Sequence, residues 1–570
     1  MRSERPWYRK KRFIIPAVVI LACLTLVAWY RLDTRVTPPP LPDRLPLNLA
    51  VAVPDTGLYT CSGSWLQQST SGLWEMYVQG SPLERGIVNG KLTKDLIDEQ
   101  ETAFVDRIRE MIPSPSYLKF LRYFIYWFNR DLDEYITDEY KQEIYGISLS
   151  ASHDFDFIGQ PYQRMMNYHS AHDIGHALQD LALVGCTSFG VWDTLSEDGS
   201  LLIGRNFDFY MGEAFARNKI VCFVRPDKGI PFMTVTWAGM TGAVSGMNLS
   251  GLTVTINAAK SEIPMSARTP ISLVAREILQ YASTIDEAFA IAKQRETFVS
   301  ESLLIGSAAD HRAAIIEKAP SKLSLYAPEG GMVVCSNHYQ SETFAGDKLN
   351  RKNIRESSSA YRYRRMKELV EANYPVSVAD AAAILRNRDG LNNAGIGMGN
   401  EMAVNQLIAH HSVIFQPEQR LVWVSAGPWQ SGPYICYDLN KIFHTFAALH
   451  QRSAIEEAGL NIPPDPFLGN TDYVKFLQYK AERDSIRKWL KAGEPVSLPA
   501  GFTGEFLSLN PELFEAYSLA GDLAEMNRDD ASALMYYGEA LKKQIPELRM
   551  REEIILKMSR NIYRNQHTRR

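Results

Sequence analysis

From residue 186 to about 439 the chain alternates apolar runs of strand length with longer stretches of helical spacing. Strand-length runs fall at 219–224, 231–236, 251–257, 303–306, 313–317, 323–326, 332–335, 412–416, 421–426 and 433–437. Turn-forming groups separate them, such as Asn248-Leu249-Ser250-Gly251 and Gln416-Pro417-Glu418-Gln419. Helical spacing covers 269–281, 284–294, 361–372 and 378–386. Thr284 and Glu287 have capping-box spacing, and Pro270 suits a first helical turn. Strands interrupted by paired helices predict an α+β domain with sheets covered by helices, not a sandwich of bare sheets or a β-barrel.

The flanks read differently. Residues 48–185 read as mainly helical, with helical spacing at 92–112 and 117–145 and a strand-like run at 74–78. Residues 440–570 read as helices alone. Within them 511–545 resembles one tetratricopeptide-like hairpin, with Ala516, Tyr517, Ala520, Gly521, Tyr536, Tyr537 and Ala540 at packing positions. At the other end, Arg2, Arg5, Arg9, Lys10, Lys11 and Arg12 precede the apolar run 13–30. That run is long enough to span a bilayer, and the basic side is expected to stay cytoplasmic. A basic stub (1–12), an uncleaved transmembrane signal anchor (13–30) and a proline-rich linker (31–47) are thus expected before the helical segment (48–185), the catalytic domain (186–439) and the helical tail (440–570). The bulk of the chain would lie outside the cytoplasm, periplasmic or extracellular. Ile20-Leu21-Ala22-Cys23 loosely resembles a lipobox, so a lipoprotein remains the alternative to an anchor.

Composition narrows the function. The 570 residues carry a net charge of −4, which gives no basic field for nucleic acid. The six cysteines are widely spaced with no CxxC pair, which argues against a zinc ribbon or a disulfide-dense scaffold, though one or two bridges involving Cys61 stay open. No cofactor motif is present.

One stretch carries candidate chemistry. Gly185-Cys186 opens a strand-like run at 188–192, the turn Glu197-Asp198-Gly199-Ser200 follows, and a second run at 201–203 leads to Arg205 and Asp208. Such a hairpin returns Arg205 and Asp208 to Cys186, where a guanidinium favours the nucleophilic thiolate. A competing pattern lies just upstream. His169, His172 and His176 share one helical face, and His172-Asp173-x-x-His176 resembles a zinc-protease motif with Asp in place of Glu. A zinc metallohydrolase built on His172 and His176 is therefore one alternative, and a non-enzymatic envelope scaffold using the helical tail is another.

Residues 74–437 resemble the acyl-coenzyme A:6-aminopenicillanic acid acyltransferase family of N-terminal-nucleophile hydrolases. The resemblance rests on Glu84-Arg85-Gly86 with Gly90, Gly185-Cys186-Thr187-Ser188, Gly204-Arg205-Asn206-x-Asp208, Gly246-Met247-Asn248-x-x-Gly251-Leu252, Ser336-Asn337-His338-Tyr339, Ser359-x-x-Arg362-Tyr363-x-Arg365 and Arg388-Asp389-Gly390. It implies a four-layer αββα sandwich and self-cleavage between Gly185 and Cys186, with the processed fragments staying together. Cys186 would then be both nucleophile and, through its new α-amine, general base. The expected substrate is a small N-acyl amide, handled through a thioester. Arg205 is expected to stabilise the thiolate and Asp208 to hold the α-amine. Asn337 is the first candidate for an oxyanion donor and Asn257 the second. Either Arg362 or Arg365 would complete the site.

Overall fold

The computed structural model describes residues 7–41, 48–177, 183–262 and 266–568. Two sheets face one another at its centre. The larger runs in the order Ala52–Asp55, Leu58–Cys61, Ser64–Gln68, Trp74–Gly80, Ile220–Pro226, Phe232–Thr236, Ser245–Asn248, Leu252–Ala258, Glu301–Ser307, Arg312–Lys318 and Leu323–Tyr326. The smaller runs Met332–Cys335, Thr187–Val191, Leu202–Phe207, His411–Gln416, Leu421–Ser425 and Tyr434–Asp438.

Side-chain alternation sorts the strands into layers. Tyr77, Val221, Phe223, Met233, Leu304 and Ile315 of the large sheet meet Ile203, Val413, Phe415, Val422 and Val424 of the small one in a shared core. The alternate residues Met76, Val78, Cys222, Val254, Ile256 and Ile305 point the other way, under helices Pro82–Leu92, Asp138–Ser148 and Ile271–Tyr281. On the far side Phe189, Val191, Leu202, Ile414 and Trp423 lie beneath helices Ser359–Asn373 and Val378–Leu385. The order is helices, sheet, sheet, helices. With both faces covered, central strands such as Ile220–Pro226 and Glu301–Ser307 are apolar along most of their length.

Residues 48–185, expected as mainly helical, instead open with four strands that extend the large sheet. Tight turns at Gly57 (φ 79°), Ser62-Gly63 (φ 50° and 74°) and Gly72 (φ 87°) fold them back on themselves. The last of them, Trp74–Gly80, pairs in parallel with Ile220–Pro226. Glu84-Arg85-Gly86 and Gly90 serve packing between helices. A Cβ on Gly86 would sit 2.1 Å from Glu143 O, and Arg85 pairs with the buried Glu143 at 3.0 Å.

At the N-terminus, helix Trp7–Asp33 contains Ile15–Asp33, a stretch long and apolar enough to cross a membrane as an anchor or signal sequence. Its C-terminal end rests on helix Pro115–Phe128, where the Tyr30 hydroxyl donates to Tyr123 O at 2.7 Å. After the sheets, helix Leu439–His444 still belongs to the shared core through Leu439, Ile442 and Phe443. Helices Thr471–Ala492, Phe502–Leu509, Phe514–Met526, Asp530–Ala540 and Leu548–Thr568 follow. Phe476, Tyr479, Ile486 and Phe506 form their own cluster, which also takes in Leu407 from the domain before them. All six cysteines, Cys61 included, are free thiols.

Glu75 lies wholly buried between the Gln67 amide (2.8 Å) and the Tyr437 hydroxyl (3.0 Å), and burial pushes it up to about 7. A carboxyl raised on folding contributes most stability below its unfolded value, near 4.5, and loses that contribution as pH rises to about 7. Glu75→Gln should therefore gain up to about 3 kcal/mol on the wild type between pH 5 and pH 8. Parallel denaturant titrations at the two pH values check this, and equal pH dependence in both proteins would refute it.

Candidate active site

The site forms where the small sheet's central hairpin meets the inner face of the large sheet. Thr187–Val191 and Leu202–Phe207 pair with Ser188 opposite Arg205 and Thr187 opposite Asn206, so the register itself carries Arg205 to Cys186. Leu183–Val184 runs just before, pairing with Phe209–Tyr210, and Gly185 N–H donates to Asp208 O at 3.1 Å. The Gly185-Cys186 peptide is thus held on both sides by one hairpin.

Cys186 is buried, with its sulfur 3.7 Å from Arg205 Nη2. Burial pushes the thiol up to about 11; Arg205 opposes the rise, while Asp208 and Glu301 add to it. The fork of Arg205 is fixed from behind by Val244 O (3.1 Å), Ile256 O and Ser245 Oγ, and its guanidinium lies 4.2 Å from the Phe207 ring centre. Ser245 in turn meets His411 Nε2 at 2.8 Å, and His411 Nδ1 meets His410 Nδ1 at 2.8 Å. Burial pushes His410 down to about 3, so this buried pair is neutral. Asp208 is also buried, and burial pushes it up to about 7 against the pull of Arg362 and Arg205. A carboxyl so placed exchanges a proton near neutral pH.

Arg362 approaches from the outer helix layer. Its Nη1 reaches Gly185 O (2.9 Å), Cys186 O (2.8 Å), Thr187 Oγ1 (2.7 Å) and Ser336 Oγ (3.3 Å), and its Nη2 donates to Asn337 Oδ1 at 2.8 Å. Arg365, the other arginine considered, turns away to Asn387, Asn393 and Glu368. The Asn337 amide nitrogen donates to Ala258 O at 2.9 Å, and its Oδ1 accepts from Arg362, so Asn337 orients Arg362. Asn257 accepts from Ser188 Oγ at 3.0 Å and donates to Cys335 O (3.2 Å) and Ser336 O (3.4 Å), tying the two sheets together beside the thiol.

The sequence reading missed Gln406, Ser245, His411 and Glu301. Gln406 Nε2 donates to Gly185 O at 2.8 Å and to Asp208 Oδ2 at 3.3 Å. It lies in a loop 221 residues from Gly185 and 198 from Asp208, and no spacing signal marks it. Glu301 is wholly buried at the start of its strand, where the apolar run around it hides its proximity to Cys186.

Of the upstream histidines, His169 is engaged at both ring nitrogens, with Met165 O at 2.7 Å and the Thr241 N–H at 2.8 Å. The side chains of His172 and His176 lie outside the described residues. Among the described residues no group of three metal-ligating side chains comes together. A small, mostly apolar cavity of about 50 Å³ is lined by Phe104, Met165, Tyr168, Phe215, Trp237 and Phe209, the residue after Asp208, among others.

Residues 194–428 match the family model described as acyl-coenzyme A:6-aminopenicillanic acid acyl-transferase; Gly185 and Cys186 precede the matched segment. An N-acylethanolamine-hydrolyzing acid amidase from Caenorhabditis elegans is 23% identical over 225 residues, covering 38% of this chain and 59% of that protein. An uncharacterized protein from Archaeoglobus fulgidus is 25% identical over 274 residues, covering 45% of each. The chain spans about half the length of the curated relatives it matches. Among solved structures, the Caenorhabditis elegans N-acylethanolamine-hydrolyzing acid amidase ortholog aligns at 17% identity and a TM-score of 0.31, covering 41% of this chain and 93% of its own. The conjugated bile acid hydrolase from Clostridium perfringens aligns at 14% identity and a TM-score of 0.31, covering 45% and 93%.

The cross-sheet role of Asn257 can be read in stability. Asn257→Asp keeps the shape but turns two donated hydrogen bonds into contacts between oxygens. It should cost about 2–3 kcal/mol in unfolding free energy at pH 8. A loss below about 0.5 kcal/mol would mean that these contacts do not hold the sheets.

Proposed function

From the match of residues 194–428 to the acyl-coenzyme A:6-aminopenicillanic acid acyl-transferase family model, we propose that the chain is a self-processing cysteine amidohydrolase or acyltransferase of the N-terminal-nucleophile type. It cleaves its own Gly185–Cys186 bond and then transfers the acyl group of an N-acyl amide to Cys186. One observation carries the reading: the Gly185 carbonyl is held by Arg362 beside a thiol that Arg205 contacts, with Asp208 on the same hairpin.

The chemistry follows from these positions. The thiol proton passes to the Asp208 carboxylate as Cys186 Sγ attacks the carbonyl carbon of Gly185, and the negative charge that develops on the carbonyl oxygen is met by Arg362. Collapse breaks the carbon–nitrogen bond, the nitrogen of Cys186 takes up a proton, and a thioester forms. Water then releases the thiol and leaves a carboxylate on Gly185. The freed α-amine titrates near about 7.7–8.0, so it acts as a general base near neutral pH. When protonated, it adds a positive charge beside the thiol and eases ionisation of a group that burial holds near 11 in the uncut chain. Asp208 is positioned to hold this amine. In turnover the same sulfur attacks the substrate amide, the amine leaves, and water or a second amine takes the acyl group.

The fragments are expected to remain together because they share a sheet. Trp74–Gly80 lies before the cut and Ile220–Pro226 after it, and their separation would expose seven paired positions at the sheet centre. The N-terminal helix is read as an anchor that keeps this assembly at the membrane on its extracytoplasmic side.

N-terminal sequencing of the larger fragment should begin at Cys186, leaving 570 − 185 = 385 residues in it. The two fragments should co-purify and separate only in denaturant, while Cys186→Ala should remain one chain of 64.4 kDa. Cleavage of the Cys186→Ala chain at this bond, or an intact wild type, would overturn the reading.

A further inference from the structure

We propose that Gln406 is a catalytic residue of chain cleavage: its side-chain amide is the second oxyanion donor to the Gly185 carbonyl, and it couples that carbonyl to Asp208. This rests on the self-processing reading above.

A primary amide has two N–H donors. In Gln406 one points to Gly185 O at 2.8 Å and the other to Asp208 Oδ2 at 3.3 Å, so the nitrogen is fully used by the two groups that change charge in the reaction. The other donor to the carbonyl is divided. Arg362 Nη1 has two hydrogens but faces four acceptors, Gly185 O, Cys186 O, Thr187 Oγ1 and Ser336 Oγ. When Sγ adds to the carbonyl carbon and the π electrons move to oxygen, the hydrogen bond from Gln406 strengthens without competition from a second acceptor on that hydrogen. As the thiol proton reaches Asp208, the second hydrogen bond of Gln406 keeps that carboxyl against the site. Collapse of the oxyanion then sends the electron pair to the nitrogen of Cys186.

Two structural features exist to place this amide. A Cβ on Gly185 would lie 2.4 Å from Gln406 Nε2 and 2.8 Å from its Oε1, so the residue before the nucleophile is glycine because Gln406 covers it. The next residue, Leu407, sits in the left-handed region at φ 56°, a conformation a branched side chain adopts only when its surroundings hold it there. What holds it is the helical tail. Leu407 packs in the cluster of Phe476, Tyr479 and Phe506, while Met398 N–H donates to Asn510 Oδ1 at 3.0 Å and Asn400 Nδ2 to Gln544 O at 3.0 Å. The tail thus fixes the loop that carries the donor.

The test follows loss of the uncut wild-type, Gln406→Ala, Gln406→Glu, Gly185→Ala and Gly185→Ala/Gln406→Ala chains by intact mass after synthesis of the full chain. Gln406→Ala should slow cleavage about 100-fold, as removal of an oxyanion donor does. Gln406→Glu keeps the volume, loses both donations and should slow it at least as much. Gly185→Ala displaces the same amide, so the double variant should be no slower than the slower single one, within about 3-fold. A wild-type cleavage rate in either Gln406 variant, or penalties that multiply in the double variant, would overturn the role of Gln406 while cleavage itself stands. Should Gln406→Ala fail to fold, Gln406→Glu decides. A wild-type chain left uncut at Gly185–Cys186 would instead remove the processing reading, and this inference with it, in the wild-type arm alone.

Discussion

The structure depends on a buried guanidinium with no carboxylate in contact. Arg362 is almost entirely enclosed, and burial pulls its pKa down while Asp208 and Cys186 draw it back up. Its charge is dispersed over the carbonyls of Gly185 and Cys186, the hydroxyls of Thr187 and Ser336, and the side chain of Asn337. These acceptors come from residues 185–187 and from the segment after Met332–Cys335, while the arginine comes from the outer helix layer. One side chain therefore sets the distance between the helix, the small sheet and the bond before Cys186. A charge in such a place is tolerated because both Nη groups are hydrogen-bonded, although Nε finds no partner among the described residues.

Around it the protein arranges two cations, Arg205 and Arg362, against groups that burial keeps neutral. The Cys186 thiol near 11 and the Asp208 carboxyl near 7 are both raised for the same reason, burial. The buried histidines beside Ser245 are likewise held neutral, so Arg205 keeps its orientation without a competing charge from that side. This places a carboxyl that titrates near neutrality close to a thiol that burial raises to about 11.

Packing decides the rest. The tail is not an appendage, because Leu407 belongs to its core and the loop 398–407 is tied to Asn510 and Gln544. The glycines of the N-terminal motif, Gly86 and Gly90, admit the backbone of helix Asp138–Ser148, which sets the helical cover over the large sheet. Of the four strands before them, 74–78 was legible as a strand, while the first three were not, because their turns, at Gly57, Ser62-Gly63 and Gly72, are spaced too closely for an apolar period to emerge.

By itself the sequence determined what is local or short in range. The strands after residue 186 were legible because apolar runs bounded by turn residues leave no other way to bury both faces. Gly185-Cys186, Arg205 and Asp208 were legible because one hairpin register connects them. Only the tertiary structure decided between Arg362 and Arg365. Both lie on one helix three residues apart, and the packing angle of that helix on the small sheet sends one to the Gly185 carbonyl and the other to Asn387. It also turned Asn337 into the group that orients Arg362 and brought Gln406 across the fold to the same oxygen. The contacts of Arg362 and Gln406 with Gly185 join residues 177 and 221 apart, and they arise from how layers stack, which no pattern along the chain records.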